Sequence, residues 1–169
     1  MDVLEAILSR RSTREYKPDP VSEEALDQLL RGAMQAPSAG KVRPWHFVVI
    51  RERATLDEVA REHPYAQMMR TAPVAIVVCG DSRLERYKGY WIQDCSAATQ
   101  NILLAAHGLG LGTAWVGLHP MEDRAEVVRR LVGLPEPIIP LCLIAVGHPR
   151  EAGPREDTFD PSRIHRERW

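Results

Sequence analysis

Residues 9–16 read Ser-Arg-Arg-Ser-Thr-Arg-Glu-Tyr and follow directly on a short amphipathic segment at the amino terminus. Arg10 and Arg14 are four positions apart, so on a continuing helix or a tight turn their guanidinium groups converge, with the hydroxyl of Ser12 beside them. Phosphate suits such a site, because arginine binds it through two parallel hydrogen bonds. The alternative is a solvated basic patch closing the first helix, since cations are also favourable near helix C termini.

The composition restricts what this anion can be. The chain has 169 residues and a formal net charge of −1. We expect a single domain over residues 1–169, because no repeat or shift in composition marks a second one. A nearly neutral chain is not a general nucleic-acid binder, whose surface needs a strong excess of positive charge. The bound anion is therefore expected to be small.

Cysteine usage and hydropathy predict the compartment. Cys79, Cys95 and Cys142 lie in apolar stretches without metal-ligand spacing, so we expect reduced core thiols and no metal site. No apolar stretch reaches the roughly 20 residues that a membrane helix requires. The amino terminus also lacks the apolar run of a signal peptide. These features predict a soluble, cytoplasmic protein without a membrane partner.

Capping residues and apolar spacing predict helices that alternate with strands. Helices are expected after Asp2, after Ser22, at a Thr55 to Glu58 capping box, from Asp81 or Ser82 through the apolar stretch 91–107, and over 121–132. Strands are expected over 45–51, 74–79, 113–118 and 138–146. Pro140 in the last strand marks an irregularity or a sheet edge, because proline cannot donate to a strand ladder.

Two further stretches predict contacts with a partner or a ligand. Residues 36–44 read Ala-Pro-Ser-Ala-Gly-Lys-Val-Arg-Pro and have the small side chains that let a backbone approach another molecule. The helix 91–106 is apolar nearly all round, so a domain of this size needs a second subunit to cover it.

Gly108, Gly110 and Gly112 do not indicate a dinucleotide fold, because they follow a helix and enter a strand.

These motifs, in this order, resemble the short form of the FMN-dependent nitroreductase family. The resemblance rests on Arg-Arg-Ser-Thr-Arg at 10–14, Ala-Pro-Ser-Ala-Gly-x-x-x-Pro-Trp at 36–45, the helix at 94–112 with Asn101, and Val-Gly-His-Pro at 146–149. It implies an α+β, three-layer sandwich with a mixed, mainly antiparallel sheet flanked by helices. It also implies an intertwined homodimer that binds FMN at the subunit interface, with the tail 148–169 around the partner.

The resemblance implies roles for particular residues. Arg10, Ser12 and Arg14 would contact the flavin phosphate, the ribityl chain and the pyrimidine edge, with Arg11 contributing partly through its backbone. Val116 and Gly117 would bring backbone close to flavin N5. The segment expected to reach across from the other subunit consists of Pro37, Ser38, Ala39, Gly40 and Lys41. A basic residue of the tail would complete the phosphate site, either Arg163 or Arg155.

The implied activity is the transfer of electrons from NADH or NADPH through FMN to a small organic acceptor, such as a nitroaromatic or a quinone, in a ping-pong cycle. No catalytic side chain is then expected, because the flavin carries the chemistry. Lys41 and Arg43 stand where the family commonly has asparagine and glutamine, and added positive charge favours anionic substrates or an anionic reduced flavin. The alternatives are a flavin-sequestering protein with little turnover and a module that binds a small anion without flavin.

Overall fold

The computed structural model describes residues 1–151 and 157–169. Its α-helices are α1 (Val3–Ser9), α2 (Glu23–Met34), α3 (Arg53–Glu62), α4 (Tyr90–Gly108) and α5 (Glu122–Val132). Its strands are β1 (Trp45–Ile50), β2 (Val74–Asp81), β3 (Gly112–Gly117) and β4 (Ile138–Gly147). Short 3-10 helices cover Ala39–Lys41, Gln67–Arg70 and Pro161–Arg163. Within these ranges, no helix has the length and apolar character needed to cross a membrane.

The described strands form one sheet in the order β1-β2-β4-β3, and each neighbouring pair is antiparallel. One isolated bridge, between Ser12 and Thr113, is parallel. The pairing of β2 with β4 shifts between Val78 and Cys79, where Cys79 lies opposite Pro140. Pro140 therefore marks an irregularity, as one alternative predicted. The other alternative, a sheet edge, is wrong because β4 lies between two strands.

Helices cover both faces of the sheet, which confirms the predicted α+β, three-layer sandwich. Alternate residues of β2 point to opposite sides: Ile76 and Val78 pack in the core beneath α2 and α4, whereas Val77 packs in the core with α3 and α5. All eight residues of β2 are buried. A continuous apolar run is the expected sequence of a strand covered on both faces.

The helix starts show where local signals decide the structure. Ser22 caps α2 as predicted, because its side chain accepts a hydrogen bond from the amide of Ala25. The predicted Thr55 to Glu58 capping box is wrong. Helix α3 begins at Arg53, and the Thr55 hydroxyl instead donates to the carboxylate of Glu52 at 2.6 Å. The acidic residue before the helix thus takes the capping position.

The start of α4 was also predicted wrongly. Asp81 is the last residue of β2, and its carboxylate accepts two hydrogen bonds from the Arg83 guanidinium at 2.9 and 2.6 Å. This pairing competes with a helix-capping role, so the chain turns through residues 82–89 before α4 begins at Tyr90. Along α4, one side is buried within the chain, while Ile92, Ala97, Leu104 and Ala105 are half-buried.

Candidate cofactor site

The arginine segment, residues 10–16, is extended. Arg10 follows the last residue of α1, so the prediction of a continuing helix or tight turn is wrong. Ser12 forms a parallel bridge with Thr113 of β3, and Tyr16 forms an antiparallel bridge with Pro149. The amide of Thr13 donates to the carbonyl of Thr113 at 2.8 Å. Pairing with the sheet therefore stretches the segment and separates Arg10 from Arg14.

Two glycines let this segment lie close to the sheet. A Cβ on Gly112 would meet Thr13 Oγ1 at 2.6 Å, and a Cβ on Gly147 would meet the Tyr16 ring at 2.8 Å. Real Cβ contacts are rarely this short, so any larger residue at either position would push the segment away. The Tyr16 hydroxyl also donates to the carbonyl of Thr13 at 2.6 Å. The backbone that carries the arginines is thus closely packed against β3 and β4.

A large cavity opens on one side of the segment. It has a volume of about 770 Å³ and is lined by Ile7, Leu8, Arg10, Arg11, Ser12, Asp157, Thr158 and Phe159. The Arg11 guanidinium donates to the carbonyl of Arg10 at 2.7 Å, so this side chain folds back on its own backbone. The Arg10 side chain and the Ser12 hydroxyl lie on the cavity wall together, as an anion site requires. Asp157 places a carboxylate in the same wall.

The protonation state of His107 affects how much charge lies beside this cavity. Its Nε2 lies 2.8 Å from the Ser9 hydroxyl, which itself donates to the carbonyl of Glu5. Burial lowers the pKa of His107 below its usual value, and the nearby Arg10 guanidinium lowers it further. A neutral His107 donates from Nε2 to Ser9. The positive charge in this wall is therefore carried by the arginines.

A second, smaller cavity lies at the end of β3. Its volume is about 240 Å³, and it is lined by Arg14, Tyr65, Met68, Trp115, Val116, Gly117 and Arg124. The structure therefore brings Arg14 together with Val116 and Gly117, as the predicted flavin roles require. Trp115 is partly exposed here, whereas Trp91 is buried in the core.

Arg124 is a candidate site residue that the sequence reasoning missed. Its guanidinium carbon lies 4.7 Å from the centre of the Tyr65 ring, a distance typical of a cation–π contact. Its Nε is buried and has no hydrogen-bond partner among the described residues. A signal was available, because Arg124 stands in the first turn of α5, where a cation opposes the helix dipole.

His63 lies beneath this pair. Its Nδ1 accepts a hydrogen bond from the amide of Tyr65 at 3.2 Å, which places the proton of the neutral ring on Nε2. That nitrogen is buried and has no partner within the described ranges. Burial lowers the pKa of His63, and the Arg124 charge lowers it further. His63 thus supports the cavity wall as a neutral group.

The Pro-Ser loop, residues 37–43, lies elsewhere. Its Ala39 amide donates to Asp94 Oδ1 of α4 at 2.9 Å, and the Arg43 amide donates to the Ser38 hydroxyl at 3.0 Å. Gly40, Lys41 and Arg43 have positive φ values of 63°, 59° and 51°. None of the residues Pro37 to Lys41 lines either cavity beside the arginine segment. A single chain therefore does not bring the two predicted parts of the flavin site together.

The predicted role of the tail has less support within one chain. Arg163 is exposed, and its guanidinium pairs with Asp160 at 3.0 Å rather than lining either cavity. The two hydrogen bonds from Ser162 and the hydrogen bond from the Arg163 side chain lower the pKa of Asp160. The competing candidate, Arg155, lies outside the described residues.

The residues present fit a phosphate joined to a flat ring that carries carbonyl oxygens. The larger cavity is lined by Arg10 and Ser12, and the smaller is lined by Arg14, Arg124 and the exposed Gly117. Guanidinium groups suit phosphate and carbonyl oxygens, since both are hydrogen-bond acceptors. No group of histidine, cysteine or acidic side chains within the described residues could hold a metal ion.

Known proteins match this chain over most of its length. The model of the nitroreductase family matches residues 7–64 and 53–148. A protein of Methanothermobacter thermautotrophicus, named among the NADH dehydrogenase/NAD(P)H nitroreductases, is 54% identical over 169 residues, which are 100% of this chain and 88% of that protein.

Solved structures agree as well. One from Bacteroides thetaiotaomicron, named in the same way, has a TM-score of 0.95 at 47% identity and covers 99% of this chain and 98% of its own. A nitroreductase-type protein of Desulfovibrio desulfuricans, solved in complex with FMN, has a TM-score of 0.89 at 32% identity and covers 100% of this chain and 98% of its own. With a family model that spans most of its length and relatives this similar, the chain belongs to the nitroreductase family.

Proposed function

We propose that this protein is an FMN-dependent oxidoreductase that takes electrons from NADH or NADPH and passes them to a small organic acceptor in a ping-pong cycle. The observation that carries the proposal is the smaller cavity, which is lined by Arg14, Arg124 and the exposed Gly117 at the end of β3. The FMN complex of the Desulfovibrio relative supports the cofactor.

The two cavities bind different parts of the flavin. Arg10 and Ser12 bind the phosphate through charge-assisted and hydroxyl hydrogen bonds. Arg14 and Arg124 face the pyrimidine edge, where positive charge favours the electron-rich reduced form. The backbone of Val116 and Gly117 lies against the ring near N5. When bound, FMN supplies the redox chemistry, so the protein holds the ring and admits donor and acceptor in turn.

A homodimer completes the site. The exposed face of α1 carries Val3, Leu4, Ile7 and Leu8, an apolar surface of the kind that interfaces cover. Since Pro37 to Lys41 lie away from the arginine cavities of their own chain, they are positioned to serve the flavin of the partner. The tail with Arg163 wraps the same partner. Sedimentation should show a dimer at micromolar concentration, and a stable flavin-loaded monomer would contradict this assembly.

The three thiols support a reducing, cytoplasmic location. Cys79, Cys95 and Cys142 are free and buried. Burial raises the pKa of Cys79 and of Cys142 to about 12, so both stay protonated and unreactive at neutral pH.

The first experiment is spectroscopic. Purified protein reconstituted with FMN should be yellow, and NADH or NADPH should bleach its absorbance without oxygen. Adding a quinone or a nitroarene should restore the colour rapidly. Failure to take up FMN contradicts the proposal. Tight binding with slow bleaching by both donors favours instead the flavin-sequestering protein, the alternative that Lys41 and Arg43 raised.

Arg14→Ala tests the smaller cavity. The substitution removes a charge-assisted contact of about 1.5–3 kcal/mol, so FMN affinity should fall by about one to two decades. Titration of the apoprotein with FMN measures this directly. An unchanged affinity would assign Arg14 to the solvated surface.

A heterodimer tests whether the two chains share each site. Gly40→Trp damages only the loop contribution, because Gly40 has a positive φ and an added Cβ already meets the Arg86 side chain at 2.9 Å. Arg10→Ala with Arg14→Ala damages only the arginine contribution. In a mixed dimer with shared sites, both lesions fall in one site, so half of the flavin capacity returns. A mixed dimer that binds no flavin shows that each site lies within one chain.

A further inference from the structure

Three cations lie on or beside the Pro-Ser loop, two within it and one on the adjoining turn between β2 and α4. We call Lys41, Arg43 and Arg86 the basic rim. The Arg86 side chain lies against Gly40: a Cβ placed there would be 2.9 Å from Arg86 Cδ and 3.6 Å from its Nη1. The guanidinium of Arg86 is therefore next to the loop that carries Lys41 and Arg43.

The acidic side chains of this turn are already engaged. Asp81 accepts two hydrogen bonds from Arg83, and this pairing lowers the pKa of Asp81. Glu85 accepts a hydrogen bond from the amide of Gly89 at 2.7 Å. Within residues 1–151 and 157–169, none of the three rim side chains forms an ion pair. The rim therefore presents uncompensated positive charge.

The loop backbone holds two of these cations in an unfavourable conformation. Lys41 and Arg43 have φ values of 59° and 51°, which residues with a Cβ adopt only at a cost in free energy. Ser38 and Asp94 fix the loop through hydrogen bonds to the amides of Arg43 and Ala39. Strain of this kind persists where the surrounding contacts determine the conformation, and it is common at ligand sites.

An aromatic surface adjoins the rim. Tyr87 and Tyr90 lie with their ring centres 5.5 Å apart and are 50% and 43% exposed. The Arg86 guanidinium lies 5.8 Å from the centre of the Tyr87 ring. Flat exposed rings next to unpaired cations suit a ligand that combines a planar group with phosphate.

We propose that the basic rim binds the phosphates of the nicotinamide donor and makes NADPH the preferred donor. This proposal rests on the proposed function. A nicotinamide ring lying on the flavin directs the remainder of the donor toward the mouth of the site, where the loop of the partner subunit would lie. NADH brings the charge of its diphosphate, whereas NADPH adds a 2′-phosphate of about −1.5 to −2 charges. Three cations therefore discriminate in favour of NADPH.

The test compares the two donors on the FMN-loaded dimer, using Arg43→Gln with Arg86→Gln. Lys41 stays unchanged because it belongs to the predicted flavin contacts. We expect kcat/KM of the unchanged protein to be about tenfold higher with NADPH than with NADH, and the preference to fall to about twofold in the double variant, where Lys41 alone remains. Binding of 2′,5′-ADP, measured by calorimetry, should weaken about tenfold in the double variant and weaken further with added salt.

Three single variants separate charge from packing. Arg86→Lys keeps the charge and should retain most of the NADPH preference. Arg86→Met keeps the aliphatic stem beside Gly40 but removes the charge, so it should reduce the NADPH preference where Arg86→Lys does not. Lys17→Gln removes an exposed charge from the turn that follows the arginine segment, and it should change neither donor ratio nor 2′,5′-ADP binding.

The possible outcomes separate a failure of the rim assignment from a failure of the proposed function. Two results overturn the rim assignment and leave the proposed function standing: equal use of both donors by the unchanged protein, or an NADPH preference that stays as large in the double variant. Loss of FMN from the double variant also overturns it, since the rim would then hold the flavin. If 2′,5′-ADP binding depends on the rim but neither donor reduces the flavin, the result contradicts the proposed function. The assignment of the rim as a phosphate site would then remain.

Discussion

The arginine segment and the Pro-Ser loop serve the same proposed site but are held in different ways. Residues 10–16 lie on the sheet, with bridges at Ser12 and Tyr16 and close packing of Thr13 on Gly112. The loop is held mainly by side chains, through Asp94 to the Ala39 amide and through Ser38 to the Arg43 amide. Backbone bridges tolerate many side chains, whereas the loop depends on two particular ones.

This difference predicts which substitutions disturb the arginine segment and which disturb the Pro-Ser loop. The arginine segment is sensitive to volume at the glycines beneath it, because an extended strand has no room to shift away from a sheet. The loop is sensitive to the loss of an acceptor, because its backbone has unfavourable φ values that only its contacts maintain. Four substitutions test this contrast, beginning with the largest expected effect.

Gly112→Ala should disturb the arginine segment most. The added Cβ would lie 2.6 to 2.7 Å from three atoms of Thr13, so the segment must move away from β3. We expect a loss of about 3 kcal/mol in the free energy of unfolding, at the upper end of the cost of overpacking. Urea denaturation and FMN titration measure the effect on fold and site.

Two controls accompany this substitution. Thr13→Gly removes the side-chain atoms that collide, so the double variant should be more stable than Gly112→Ala alone. Gly108→Ala adds a methyl group where nothing lies within 4 Å and should change stability little. Equal stability of Gly112→Ala and the unchanged protein would mean that the segment is not held by close contact.

Asp94→Ala should release the loop. It leaves the Ala39 amide without its acceptor, at a cost of about 2 kcal/mol in the free energy of unfolding. Trypsin cleavage after the exposed Lys41 should become about tenfold faster, because local opening determines the rate. Asp94→Asn keeps an oxygen acceptor and should be cleaved close to the unchanged rate. Slow cleavage of both variants would show that Ser38 alone maintains the loop.

Arg124→Gln should weaken FMN binding without loosening either element. The side chain loses its charge and its contact with the Tyr65 ring, which together amount to about 1 kcal/mol and a fivefold weaker affinity. The midpoint potential of the bound flavin should fall, since less positive charge faces the reduced ring. Arg124→Lys should recover part of the potential. A potential unchanged in Arg124→Gln would remove Arg124 from the flavin site.

His63 should give the smallest effect, a loss of stability in mild acid. Burial lowers its folded pKa below the unfolded value of about 6.5, so its contribution is full above that pH. As the pH falls toward the folded pKa, the unfolded chain takes up the proton first and stability declines. The free energy of unfolding, measured with urea at pH values from 7.5 to 5.5, should therefore fall by less than about 1 kcal/mol per pH unit. His63→Gln should flatten the slope, and an unchanged slope would contradict the assignment.

Much of the fold could be predicted because its signals are local. The run Val74 to Cys79 identifies a buried strand by its composition, and Ser22 identifies a helix start by its hydroxyl. Competing partners caused the errors. Glu52 takes the Thr55 hydroxyl, and Arg83 takes the Asp81 carboxylate. Neither competition can be recognised without knowing which of several nearby polar groups pair.

The site was harder to predict because its geometry depends on pairing between distant segments. Arg10 and Arg14 were expected on one side of a helix or turn, but Thr113, almost a hundred positions later, draws the segment into an extended form. Arg124 was missed because its only signal, a cation in the first turn of a helix, does not by itself indicate a ligand. The roles of Pro37 to Lys41 and of Arg163 stay predictions, since they concern a second chain.

The bridge from Ser12 to Thr113 has a consequence for solubility. Strand β3 ends the sheet on one side, and an uncovered strand offers unpaired amides and carbonyls to any other extended chain. The arginine segment occupies part of that edge and brings three positive charges to it. Charge along an edge opposes the stacking of strands from different molecules. The same residues that are proposed to hold the flavin thus protect the folded chain against aggregation.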